Sequence, residues 1–236
     1  MDRPRSIMRA LLVPTILLVG LVAVGCGGSE EETIIKNYFR AARMGDNTTM
    51  GNIATVSFDA QTQGVVQDFT VANVQEERRT LRIKELIAAS EEAQAAQDTF
   101  SDEMKAYQDE NIEAIDRVLR AERGEGTVAR RDVAVQEAWR KWRDDMSEHT
   151  RKVSDARTAL GDERRVAEAS VMNAQNPVDI TAFDVELVTK TVTLDASVRQ
   201  PDEQAVQRPM VVTMERAELK GGERDINGRW IITSIQ

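Results

Sequence analysis

One cysteine, one histidine and ten aromatic residues are all that this chain of 236 residues offers to the more familiar catalytic chemistries. A single thiol excludes an intrachain disulfide, so the fold rests on packing even in an oxidising compartment. A single imidazole excludes a multi-histidine metal centre and leaves few general bases. Proline is sparse too: none falls between Pro14 and Pro177, and residues 75–172 hold only Gly124, Gly126 and Gly161 as glycines. A span so poor in breakers is built for helix. Basic charge is in deficit, with 31 Lys and Arg against 40 Asp and Glu and a net of -9. No basic stripe appears, which argues against binding a phosphate backbone, so no nucleic-acid partner is expected. There is no Gly-rich phosphate loop, nucleophile elbow or paired Cys/His spacing. No cofactor, metal or catalytic residue is therefore assigned, and the chain is read as non-enzymatic.

What is present begins with an address. Arg3, Arg5 and Arg9 precede an apolar run of 16 residues, 10–25, that ends at Cys26. The run carries Pro14 and falls short of the roughly 20 residues that span a bilayer comfortably, so it reads as a removable signal peptide. Val22-Ala23-Val24-Gly25-Cys26 resembles the bacterial lipoprotein signal, with Ala23 where Leu is more usual. The resemblance implies cleavage before Cys26, acylation of its thiol and a stable membrane anchor through diacylglyceryl and acyl chains. Residues 26–29 then form a lipidated flexible tether. Gly27 stands where an inner-membrane retention signal has Asp, which implies the periplasmic face of the outer membrane in a cell with two membranes. Removing residues 1–25, with three Arg and one Asp, takes the formal charge from -9 to -11.

Residues 75–172 are expected to form a long antiparallel helical hairpin, turning near 124–127, with Thr127 capping the second arm. That arm shows the clearer seam: Val135, Trp139, Trp142, Met146, His149, Val153, Ala156 and Leu160 follow alternating steps of four and three, a coiled-coil pattern. On the first arm, Leu86, Ala89, Ala93, Ala96 and Phe100 lead to Met104, Tyr107, Asn111, Ile115 and Val118. An extra four-residue step between Phe100 and Met104 reads as a stutter.

The flanks differ. Residues 30–44 form an amphipathic helix with Ile34, Ile35, Tyr38, Phe39 and Ala42 inward, followed by a short helix capped by Asp46 or Asn47. A strand is suggested at Val65-Val66 and Phe69 to Asn73. After Pro177 the pattern alternates as strands do, from Phe183 to Val198, then 210–219, a turn at Gly221-Gly222, and 229–235, with 201–209 as connector. Ala41-Ala42-Arg43-Met44-Gly45-Asp46 and Asn227-Gly228-Arg229-Trp230-Ile231-Ile232 resemble the nuclear transport factor 2-like superfamily. The resemblance covers 30–74 and 177–236 and implies a cone-shaped α+β domain, with the hairpin as an insertion.

The expected fold class is α+β: a small curved antiparallel sheet with amino-terminal helices plus a long antiparallel coiled-coil hairpin insertion. The parts are the signal peptide (1–25), the tether (26–29), the first part of the α+β domain (30–74), the hairpin (75–172) and the strand-rich second part (173–236). A hairpin occupying nearly half the mature chain points to an interaction or scaffold module that contacts a protein partner or a second copy. Candidate contacts are Glu125, Arg130 and Arg131 at the tip and Trp139 and Trp142 on the second arm. His149 is expected to pair with Asp98, Asp102 or Glu103 on the facing arm. Another reading is a carrier whose cone binds an apolar ligand between Tyr38, Phe39, Phe69 and Phe183. A third is a periplasmic efflux adaptor, which the chain resembles in outline, although the two halves of a lipoyl-like domain are not found. Asp184, Glu186, Asp195 and Glu215 lie on strands, where alternation with aliphatics places them toward solvent.

Overall fold

Ser29 opens the first helix: its hydroxyl accepts from the Glu32 N–H, and three glutamates in the first turn oppose the positive end of the helix dipole. The computed structural model describes residues 29–222 and 224–236; the expected signal peptide and Cys26 lie outside the described residues. Helix α1 (Glu30–Met44) buries Ile35, Tyr38 and Phe39, one face at helical spacing, and stops at Gly45, whose φ of 67° is left-handed. Asp46 then caps α2 (Asn47–Ile53), accepting from the Thr49 N–H at 3.0 Å. A single turn, α3 (Ala60–Gln63), leads into β1 (Val65–Thr80).

After the hairpin come β2 (Asp184–Arg199), β3 (Ala205–Lys220), β4 (Ile226–Asn227) and β5 (Ile231–Ile235). The fold is mixed α and β with a curled antiparallel sheet. Strand order is β1-β2-β3-β4, and β5 also pairs with β3. Strands β2 and β3 make a sixteen-residue ribbon in unbroken register, with Val192 opposite Val212 and Leu187 opposite Ala217. Its two ends are buried on opposite faces. Val188, Val192, Leu194, Ala196 and Val198 join Met210, Val212 and Met214 against α1, whereas Val185 and Leu187 join Ala217 and Leu219 against the hairpin root. Since side chains alternate along a strand, this change from even to odd positions puts the two cores on opposite sides of one sheet. Each fully buried aliphatic side chain contributes about 1.5–3 kcal/mol.

Two boundaries differ from expectation. Strand β1 continues through Thr80, pairing Gln75 with Thr191 and Thr80 with Glu186, so the helical span begins at Ile83 rather than position 75. Residues 72–80 are exposed, so no apolar alternation marked them; the backbone ladder to β2 holds them. Strand β3 starts at Ala205 rather than 210. Pro209 is tolerated within it because it lies outside the stretch that β5 pairs, 212–215.

The hairpin consists of α4 (Ile83–Glu110), α5 (Ile112–Glu122) and α6 (Val133–Val171). Contacts of Gln94 with Arg157, Gln97 with Thr150 and Tyr107 with Trp142 show the arms running antiparallel. The α6 seam residues from Val135 to Leu160 are all buried or half-buried, as their spacing predicts. On the first arm the seam shifts by one residue: Ala89 and Ala96 are exposed, and Ser90 and Gln97 take their places. Ser90 and Gln97 are polar, so apolar periodicity selects the neighbouring alanines instead. With Ser90 and Gln97 restored, the steps run regularly through Phe100, Met104 and Tyr107, and the extra four-residue step falls at Asn111 to Ile115. That is where α4 and α5 separate: the Asn111 side chain donates to the Tyr107 carbonyl at 2.9 Å and competes with the helical ladder. Thr127 does not cap the second arm. Helix α6 starts after a short 3-10 turn at Arg130–Asp132, with Asp132 preceding Val133.

Candidate functional site

The hairpin tip is held by a bidentate ion pair, with a second pair between Glu122 on α5 and Arg143 on α6 at 3.2 Å. Arg117 on α5 donates to both carboxylate oxygens of Asp132, from Nε at 3.0 Å and an Nη at 2.8 Å, closing the loop that contains Gly124 and Gly126. Those hydrogen bonds from Arg117 hold the buried Asp132 carboxyl below its ordinary range. Glu125, Arg130 and Arg131 are exposed around this loop. Glu125 pairs with Arg123 at 3.2 Å, and Arg131 lies 3.8 Å from Asp132.

The two tryptophans are not part of that surface. Trp139 is buried, and Trp142 packs between Phe100 at 4.9 Å and Tyr107 at 5.7 Å, ring centre to ring centre. They fill the seam rather than offering an aromatic docking face. His149 stacks on Phe100 at 4.7 Å and 25°, and none of Asp98, Asp102 or Glu103 pairs with it; Asp98 accepts from Gln94 instead. The expected histidine–carboxylate pair is replaced by a ring stack because the seam position opposite His149 is Phe100, whereas those acids point to solvent.

At the root the hairpin is bolted to the sheet. The Ser170 hydroxyl donates to the Arg229 carbonyl at 2.7 Å and accepts from the Ala217 N–H at 3.0 Å, and the Ser170 carbonyl accepts from the Arg229 N–H at 2.9 Å. Gly228 makes this approach feasible, since a Cβ there would stand 3.0 Å from both the Ala217 oxygen and the Ser170 Cβ. Glu163 accepts from Arg79 at 2.9 Å and from the Arg82 N–H at 3.0 Å. Burial works against ionising Glu163, yet these donors hold its carboxyl below the usual range.

The expected ligand-lining residues divide between the two cores. Tyr38, Phe58 and Phe69 each pack edge to face with Phe39 over 5.3–6.2 Å, and the Tyr38 hydroxyl donates to the Val56 carbonyl and accepts from the Phe58 N–H. Phe183 belongs to the core under the hairpin root, on the other face of the sheet. The four do not line a common space.

Of the strand carboxylates, Asp184 pairs with Lys84, Glu186 with Lys220 and Arg78, and Glu215 accepts from Thr189. Sequence reasoning missed a more buried group beside them. Glu31, in the first turn of α1, forms an ion pair with Lys190, whose ammonium also lies 4.9 Å above the Trp230 ring. Arg216 stacks 4.7 Å from the same ring, donates to Glu218 at 2.9 Å, and Glu218 accepts in turn from Arg78 at 3.0 Å. Burial opposes ionisation of Glu31 and Glu218, but their cationic donors outweigh it and leave both carboxyls below the ordinary range. A lysine inside an otherwise apolar alternation, at position 190, was the available signal. Every charge in this row has a partner, which suits structural rather than proton-transfer chemistry. Among the described residues no three His, Cys, Asp or Glu groups converge as metal ligands.

The acidic balance is not spread evenly. Residues 85–116 hold ten Asp or Glu and one Lys, whereas residues 117–143 hold eight Arg or Lys and four Asp or Glu. The first arm is therefore strongly acidic and the tip basic. The overall charge concealed the second fact. Among the described residues no helix is long and apolar enough to cross a membrane. No family model, curated protein or solved structure matches the chain.

Proposed function

We propose that this chain is a cell-envelope lipoprotein, anchored through Cys26, whose projecting coiled-coil hairpin serves as a non-enzymatic interaction or scaffold module. The α+β body then acts as the mount, in the manner of a nuclear transport factor 2-like domain with a long insertion. The observation that carries this reading is the division of labour along the hairpin. Its root is fixed to the sheet through Ser170 and Glu163, yet no residue between positions 88 and 159 belongs to either core of the body. From Leu160 to Val133 the second arm extends about 40 Å at the usual rise per residue. That length does not contribute to packing the body, and it presents an exposed, charged tip at its end. Contact with something outside the chain accounts for both features.

A photo-crosslinking amino acid at Glu125, and separately at the exposed body position Gln61, in cells expressing the lipidated protein tests this reading. A discrete adduct from the tip and none from the body is the expected result. Absence of any tip adduct, with the protein folded and exported, overturns it. Incorporation of labelled palmitate that disappears in Cys26→Ser tests the anchor separately.

A further inference from the structure

The two charged regions of the hairpin are complementary to one another, and no single copy brings them together. All ten carboxylates of residues 85–116 are exposed, and none forms an ion pair among the described residues. The contrast with α6 is direct, since Lys141 and Asp145, Lys152 and Glu148, and Arg164 and Glu168 are paired one turn apart. At the tip, Arg120, Arg130 and Arg140 are exposed and lack a carboxylate partner among the described residues. Helix dipoles account for Arg120, near the end of α5, but not for Arg140, two turns into α6.

We infer that the hairpin's partner is a second copy of this chain, its basic tip seated on the acidic outer face of the other copy's α4, with the two hairpins side by side and antiparallel. This inference deepens the interaction reading above and rests on it. Charge decides the direction. A parallel pair sets the net +4 of residues 117–143 against itself and the net -9 of residues 85–116 against itself, whereas the antiparallel pair sets each against the other twice. The arrangement is isologous, as a two-fold dimer requires, and closes without leaving a free tip. The face of α4 that receives the tip also carries the exposed Ala88, Ala89, Ala95 and Ala96, which leave space for arginine side chains to lie along the helix.

The test uses the full lipidated chain in neutral detergent, with mass measured by sedimentation in 50 mM and 500 mM NaCl. A dimer at low salt that weakens at least tenfold at high salt is expected, since exposed charge pairs are screened. Reversing the tip (Arg120→Glu, Arg130→Glu, Arg140→Glu) or the stem (Glu91→Lys, Glu92→Lys, Asp98→Lys, Asp102→Lys, Glu103→Lys) should abolish it. Mixing the two reversed chains should restore a one-to-one pair, because the reversed tip of one meets the reversed stem of the other while the remaining native tip meets the remaining native stem; restoration of at least a tenth of the wild-type affinity is the expected reading. Circular dichroism confirms that each variant keeps its helices. In mixed 14N and 15N samples, the Glu125 crosslinker should join the tip of one copy to residues 85–103 of another. A monomer at low salt, or a dimer indifferent to both reversals, overturns the inference. Tip adducts only to a different protein, or binding of the tip to anionic vesicles, would also overturn it while leaving the interaction reading standing; no tip adduct at all would remove both.

Discussion

Gly228→Ala should be among the most damaging single methyl additions in the protein. The new Cβ would meet the Ala217 oxygen and the Ser170 Cβ at 3.0 Å each and run into the Ser170 hydroxyl. Relief requires that hydroxyl to swing away, which breaks its bond to the Arg229 carbonyl and strips the buried Ala217 N–H of the bond it donates to Ser170. Leaving a buried polar group unpaired costs about 1–3 kcal/mol, and overpacking adds about 1–3 kcal/mol. A total of about 2–6 kcal/mol is a large share of the stability of a typical domain. Ser170→Ala alone removes the same two side-chain bonds and should cost about 2 kcal/mol. The two changes share this loss, so the double variant should fall short of the sum by about 1–2 kcal/mol. Urea unfolding of the full chain in detergent, followed by circular dichroism and tryptophan fluorescence, gives all three values. A Gly228→Ala variant within about 0.5 kcal/mol of wild type, or strictly additive costs, would refute the account of how the hairpin root meets the sheet.

Two further outcomes are expected. Because Lys190 and neighbouring donors hold the folded Glu31 carboxyl below its unfolded range, its ion pair contributes stability above about pH 4.3 that is lost as pH falls through the lower folded value; Glu31→Gln should therefore flatten the acid limb of the stability–pH curve, and an unchanged limb would argue against the pair. Arg117→Met strands the buried Asp132 carboxylate, so amide exchange in residues 118–135 should accelerate while exchange at the Ser170 root stays as in wild type, a pattern that hydrogen-exchange mass spectrometry resolves and that uniform exchange would contradict.

The elements that bury one clear face were readable. Helix α1 declares itself through Ile35, Tyr38 and Phe39, and the second arm through an apolar seam from Val135 to Leu160. What escaped the sequence was structure held by polar groups. Residues 72–80 carry no apolar alternation because both faces of that strand meet solvent, and the backbone ladder to β2 fixes them together with the ion pairs of Arg78 and Arg79. Ser90 and Gln97 occupy seam positions as polar residues, Gln97 by donating to Thr150 at 2.9 Å across the arms, and omitting them moved the stutter by a full turn or more. The tip suffered from the opposite difficulty. Glu125, Arg130 and Arg131 stand out beside its glycines, but the chain's net charge of -9 hides a basic end on an acidic arm.

The separation of the two cores explains how such a hairpin can exist on so small a body. A long insertion that shared the α1 core would make every change in the hairpin a change in the packing of Tyr38, Phe39 and Phe69. Here the root instead packs on the reverse face of the same ribbon, around Val185, Leu187, Ala217 and Leu219. The row from Glu31 through Lys190, Trp230, Arg216 and Glu218 to Arg78 lies beside the α1 core. Charged groups in fixed pairs define register without demanding close apolar packing between the two ends. The hairpin is thereby fixed in direction by hydrogen bonds at Ser170 and Glu163 while its sequence beyond the root is freed from the needs of the body's core. That freedom is what permits ten carboxylates without an ion-pair partner among the described residues on one arm and surplus arginines at the tip, a distribution that solvent tolerates and burial would not.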